Sequence, residues 1–341
     1  MVAAVGSGRW SGPRGDGYMM WFRVLLALLV VGTASAAGEL PLELDGKIAL
    51  GDVRGRIDHM AVDPARHRLY VAELGNDSVG VVDLRAGKTV RTISGLKEPQ
   101  GIGYVPSTDT VYVANARDGS VRLFQGDNLT PAGQIALGED ADNVRVDDAA
   151  NRILIGYGSG ALAVIDTLTH SKLGDISVGE HPESFRLESS GSRIFVNVPD
   201  SREIAVVDLA ARKQIAAWKT GDLRANFPLA LDDSGQVLVV FRHPAKLAVF
   251  LKDGTLRNAL DTCGDSDDLF VDSKRHRVYV SCGEGFIDVF SLGAGDYRRV
   301  LHLPTISGAR TSLFVPQLDR LYLAARASGS TPPAVWVFRP Q

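Results

Sequence analysis

Between Arg56 and Arg339 the chain repeats one pattern seven times. An apolar run ends in an acidic or turn residue. A short polar turn follows, then a second apolar run such as Arg68-Leu-Tyr-Val-Ala72. A small-residue turn leads to a third run such as Val79-Gly-Val-Val-Asp-Leu84, and a fourth run often ends in Gly. The second runs centre on Tyr70, Tyr112, Leu154, Phe195, Leu238, Tyr279 and Tyr322. Their spacing of about 41–43 residues is the period of a sheet of four short strands repeated around an axis, a β-propeller blade.

The residue types suit that reading. In the first repeat, 58–63 alternates in part between polar and apolar residues, as a half-buried strand does. Pro64 opens a turn. The run 68–72 is β-branched and aromatic, which suits a central strand. The Val-rich run 78–84 fits burial between neighbouring blades, and 89–93 is more polar, as an outer strand is. A lone sheet of this size cannot bury both faces, whereas blades stacked around an axis bury them against each other. The ring must also close. The last repeat offers only three strands, near 311–315, 320–324 and 334–338. An orphan strand at 44–51 precedes the first blade and matches the fourth-strand segment Ala132-Gly-Gln-Ile-Ala-Leu-Gly138. The expected fold is therefore all-β: a seven-bladed propeller of four-stranded blades, closed when the N-terminal mature strand completes the last blade and covers its edge.

The ends of the chain suggest export. Residues 24–31 form an uncharged apolar core preceded by Arg23 and followed by Ala34-Ser35-Ala36, the small-residue pattern of a signal-peptidase site. The run is short for a membrane span. The domain plan is a signal peptide over residues 1–37 and a single propeller over 38–341. Residues 1–18 read as an over-extended start, with Met19 or Met20 as the initiator. A periplasmic or secreted protein is expected, not integral to the membrane after cleavage, and a monomer, with a retained N-terminal anchor as the lesser alternative. The chain holds two cysteines, Cys263 and Cys282, just before the first strand and just after the second strand of the sixth blade. Antiparallel pairing brings both to one end of the blade, so a disulfide fits, as does an oxidising compartment.

Tyr112-Val-Ala-Asn115, followed by Ser120-Val121 and Leu123, resembles the signature of the YVTN-repeat β-propellers. Tyr70-Val-Ala-Glu73 and Phe195-Val-Asn197 are similar variants, whereas Leu154-Ile-Gly-Tyr157 and Leu238-Val-Val-Phe241 have lost the small-Asn ending. The resemblance implies a seven-bladed, mostly periplasmic or surface protein. It implies no single activity, because relatives of this shape include surface-layer proteins, binding proteins, lactonase-like hydrolases and quinoprotein subunits.

The first strand of each blade would line the axial channel, with its starting residues ringing one mouth. Aligned repeats place Asp58-His59, Gln100, Asp142-Asn143, Glu183-Ser184, Asn226-Phe227, Asp267-Asp268 and Thr311-Ser312 there, with Arg56, Arg224 and Arg310 just before the register. The candidate ligand-binding set is Asp58, His59, Gln100, Asn143, Glu183, Asn226, Asp268 and Arg310. Three readings stay open at this stage. The polar ring solvates itself, or arginines hold a carboxylate or phosphate, or Asp58, Asn143, Glu183 and Asp268 ligate Ca²⁺ as in propeller lactonases. In the last case His59, the one histidine in the register, is the candidate general base.

Other chemistries are discounted. The net charge of −3 lacks basic runs, so nucleic acid is not indicated. There is no nucleophile elbow with triad partners, no Walker loop, no dinucleotide fingerprint and no CxxCH haem site. The reading that follows is an exported propeller that recognises a small ligand or a periplasmic protein through its axial mouth and loops. A Ca²⁺-dependent lactonase-like hydrolase and a redox-associated accessory propeller are the alternatives.

Overall fold

The computed structural model describes residues 6–12, 40–188, 192–293 and 296–341. Residues 6–12 carry no regular secondary structure, and most of the expected signal peptide lies outside the described residues. From residue 40 onward the described chain forms strands joined by turns and four single 3₁₀ turns. No helix among the described residues is long and apolar enough to cross a membrane.

Seven four-stranded antiparallel sheets follow one another as blades, as the repeat predicts. In blades 1 to 6 the strands are ordered along the chain from the axis outward, from Met60–Asp63 through Arg68–Glu73 and Ser78–Asp83 to Lys88–Ser94 in blade 1. Second and third strands are almost wholly buried, whereas outer strands such as Thr130–Ala136 are largely exposed. The apolar residues sort into seven clusters, each shared by two successive blades. Tyr70 and Val81 of blade 1, for example, pack on Val111 and Val113 of blade 2. The core of this fold is thus a ring of inter-blade interfaces, and an unclosed ring would leave one of them in water.

Closure follows the predicted route. Leu42–Ala49 pairs antiparallel with Ala334–Pro340, the third strand of blade 7, from Leu42 opposite Pro340 to Ala49 opposite Ala334. The strand begins two residues earlier than the sequence pattern suggested. A bulge between Leu44 and Gly46 keeps Ile48 and Leu42 pointing inward. Arg277 of blade 6 then donates to both flanks of this strand pair, to the Pro41 carbonyl at 2.7 Å and the C-terminal Gln341 carbonyl at 2.6 Å.

Two blade junctions carry the same ionic clamp. Asp63 accepts the turn N–H groups of Ala65 and Arg66, and Arg66 reaches back to Asp63 (2.8 Å) and across to both carboxylate oxygens of Asp109 in blade 2 (2.7 Å each). Asp272, Arg275 and Asp319 repeat this between blades 6 and 7. Asp109 and Asp319 each end a 3₁₀ turn with positive φ, of 49° and 51°, which aims the carboxylate at the neighbouring blade.

Cys263 and Cys282 form a disulfide with an S–S distance of 2.03 Å at the entrance to blade 6. It pins the segment entering that blade to the end of its second strand.

Candidate functional site

The innermost strands begin at one end of the axis, and their first residues line a cavity of about 220 Å³ there. All seven blades reach it, the seventh through Arg310. Asp58, Gln100, Asp142, Glu183, Phe227 and Asp267 line it, joined by Arg56, Arg242, Arg310, His59, Asp140 and His181. Residues of the aligned register thus meet at one cavity, but the side chains sort differently within each pair. In blades 3 and 6 the first residue of the pair, Asp142 or Asp267, faces the mouth. In blade 5 it is the second, Phe227.

Asn143 is buried, donating to Asp142 Oδ2 (3.2 Å) and accepting from Arg145 Nη2 (3.1 Å). Asn226 is wholly buried between blades 4 and 5, donating to Asn197 Oδ1 (3.1 Å) and the Glu203 carbonyl (2.9 Å). Asp268 points deeper, accepting the Ser312 N–H at 2.7 Å. Arg224 does not line the mouth, and Arg242, on the second strand of blade 5, takes that place. A strand alternates its faces, so a one-residue shift decides which side chain reaches the axis. The four residues expected as Ca²⁺ ligands consequently divide: Asp58 and Glu183 line the mouth, while Asn143 and Asp268 are spent on other partners. Among the described residues no group of three or more His, Cys, Asp or Glu side chains is arranged to hold a metal ion.

The arginines of the mouth are largely neutralised. Arg242 donates to Asp267 Oδ1 (2.8 Å) and the Ser266 carbonyl (2.9 Å), and its guanidinium lies 3.8 Å from the centre of the Phe227 ring. Arg310 pairs with Asp265 (2.9 Å) and Asp267 (3.0 Å), and Arg56 with Asp58 (2.7 Å). Sequence spacing could not have found Arg242, because its own strand is not the one that lines the channel.

The opposite wall is unspent. Asp142 is 7 % exposed, and its Oδ1 is buried without a hydrogen-bond partner. Burial, reinforced by the Glu183 carboxylate and only partly offset by His59, pushes Asp142 up to about 7. Burial and the charge of Asp267 do the same to Glu183. Both acids thus hold their protons to higher pH than exposed carboxylates do.

His59 sits below them. Its Nε2 is 3.8 Å from Asp58 Oδ1 and its Nδ1 3.7 Å from Asp268 Oδ2, ion-pair distances too long for direct hydrogen bonds. Burial disfavours the imidazolium, but the carboxylates of Asp268, Asp58 and Asp142 outweigh it and push His59 up to about 10. The surrounding carboxylates thus favour the imidazolium, a form that lacks the free lone pair a general base requires.

No family model matches this chain, and no curated protein matches its sequence. Among solved structures, the fold is similar to a chain described as Kuenenia stuttgartiensis Hydrazine Synthase, with a TM-score of 0.69 and 16 % identity over 82 % of this chain and 96 % of that one. At that identity the likeness concerns the propeller fold.

Proposed function

We propose that this chain is an exported binding propeller whose axial mouth holds a small ligand rich in hydrogen-bond donors, such as a primary amine. One observation carries the reading: Asp142 and Glu183 both face a 220 Å³ cavity and Asp142 Oδ1 is buried without a hydrogen-bond partner, while the arginines of the mouth are already paired. An ammonium group would donate to these carboxylates and displace the protons that burial retains on them. The protonated state of His59 favours recognition over hydrolysis of the lactonase type. Export is supported by the N-terminal apolar core with its Ala34-Ser35-Ala36 site and by the disulfide, which suits an oxidising compartment.

Isothermal titration of the purified protein with a panel of small primary amines tests this, with Ca²⁺ as a separate arm. Amine binding should strengthen from pH 5 to pH 8 as the two acids lose their protons, and the pair Asp142→Asn and Glu183→Gln should abolish it. Binding of Ca²⁺ alone would replace the amine with a hard cation. Amine binding that persists in the double variant would place recognition elsewhere.

A further inference from the structure

His59 also lines a second cavity, of about 260 Å³, farther along the axis. Its walls are apolar, from Met60, Ile102, Val144, Phe270 and Leu313 among others, with two guanidiniums, those of Arg145 and Arg186. Arg186 and Phe270 in turn border the wider cavity, of about 500 Å³, toward the far ends of the innermost strands. The channel thus has a waist bounded by a cation at each end, His59 on the mouth side and Arg186 on the other.

The two arginines are held differently. Arg145 bridges blades 3 and 4, donating to the Phe185 carbonyl (3.0 Å), Ser184 Oγ (3.1 Å), Asn143 Oδ1 (3.1 Å) and the Val144 carbonyl (2.8 Å). Arg186 commits one of its five N–H donors, to the Phe185 carbonyl at 3.2 Å. Among the described residues, no carboxylate lies within ion-pair distance of either guanidinium. Asp268 is the one acid lining the waist, and its Oδ2 already accepts the Ser312 N–H and faces His59. Burial, and for Arg145 the nearby charge of Arg186, hold both guanidiniums below the usual arginine range. Two cations in an apolar-walled space with so little counter-charge are costly unless an anion joins them.

We propose that the waist is a binding site for a small organic carboxylate, its anionic end on the free guanidinium fork of Arg186 beside Arg145 and its body against the apolar wall. A planar guanidinium matches a carboxylate in bidentate fashion. The walls favour a hydrocarbon body over a bare inorganic ion, and a cavity below the usual drug-sized range limits the ligand to a few carbons or a single ring.

Isothermal titration of the full-length protein with benzoate tests the proposal, with benzylamine and sulfate as separate arms. Benzoate should bind saturably at one site, and benzylamine, a ligand of the mouth class, should not compete with it. Arg186→Gln should weaken benzoate by about tenfold or more, as loss of a charge-assisted pair does, and Arg186→Lys should recover part of the loss. Arg186→Gln gives up one backbone contact and removes a buried cation that lacks counter-charge, so it should melt at or above the wild-type temperature, which separates lost binding from lost folding. Absence of saturable benzoate binding, or an unchanged Kd in Arg186→Gln, would overturn the site. Binding of sulfate without benzoate would overturn the organic ligand.

Discussion

Asp268 Oδ2 accepts the backbone N–H of Ser312 at 2.7 Å while lying 3.7 Å from His59 Nδ1. One carboxylate thereby links blades 6, 7 and 1 at the axis. It also sets the charge of the histidine that separates the mouth from the waist.

That charge has a signature in stability. The folded-state pKa of His59, about 10, lies above its ordinary 6.5. Its contribution is therefore complete below about pH 6.5 and fades as pH rises toward 10. Urea unfolding from pH 6 to pH 10 should show wild-type stability falling over this window. His59→Gln should lose about 1–3 kcal/mol at pH 6 and less at pH 10. An imidazole that titrates near 6.5 by NMR would contradict the arrangement.

Asp142 makes stability fall with rising pH as well, but by gaining a buried charge where His59 loses a paired one. Its folded pKa of about 7 exceeds its ordinary 3.8, so the native state favours the protonated form and loses stability as pH climbs through this interval. Glu183, Asp58, His59 and His181 are the charged or titratable groups acting on it. Asp142→Asn should therefore stabilise the fold by about 1–2 kcal/mol at pH 8, and the gain should vanish near pH 4. Thermal melts of the two proteins across that range check the crossover.

The clamp between blades 6 and 7 offers a second stability test. Arg275→Gln removes the bidentate pair with Asp319 and leaves the Asp272 carboxylate, which is 1 % exposed, without its cation and with the Tyr279 hydroxyl and a turn N–H as its remaining donors. The expected cost is about 2–4 kcal/mol in urea unfolding at pH 7. Arg275 holds the Asp319 carboxyl far below its ordinary 3.8, so this contribution is present above that value and is lost as pH falls below it. The gap between variant and wild type should close in acid.

Ring closure can be tested from the N-terminal side. Leu42 is fully buried in the cluster shared by blades 6 and 7. Leu42→Ala should cost about 2–4 kcal/mol. Deleting 42–49 should do more, exposing the hydrogen-bonding edge of Ala334–Pro340 and replacing the cooperative transition with a broad one. A deletion variant that melts as sharply as the parent would show that the strand is dispensable.

Much of this architecture was legible in the amino-acid pattern. The seven second strands, from Tyr70 to Tyr322, declare themselves because a strand buried on both faces tolerates little besides Val, Ile, Leu and aromatics. The closing strand was legible because a sheet edge needs a partner and only one orphan segment was available. The clamps were harder to see. Asp63 and Arg66 are three residues apart, but Asp109 lies a whole blade away, and nothing local marks it as their partner.

The repeat by itself determined the fold, the axis and the set of residues that begin each innermost strand, because hydrophobic periodicity is written locally and has one stable way to bury itself. Only the tertiary structure decided which member of each pair faces the channel, that Arg242 enters it from a second strand, and that Arg145 and Arg186 meet in its waist. Those choices depend on strand twist, register shifts and through-space charge between blades, which join residues roughly 40 positions apart and leave no trace in spacing.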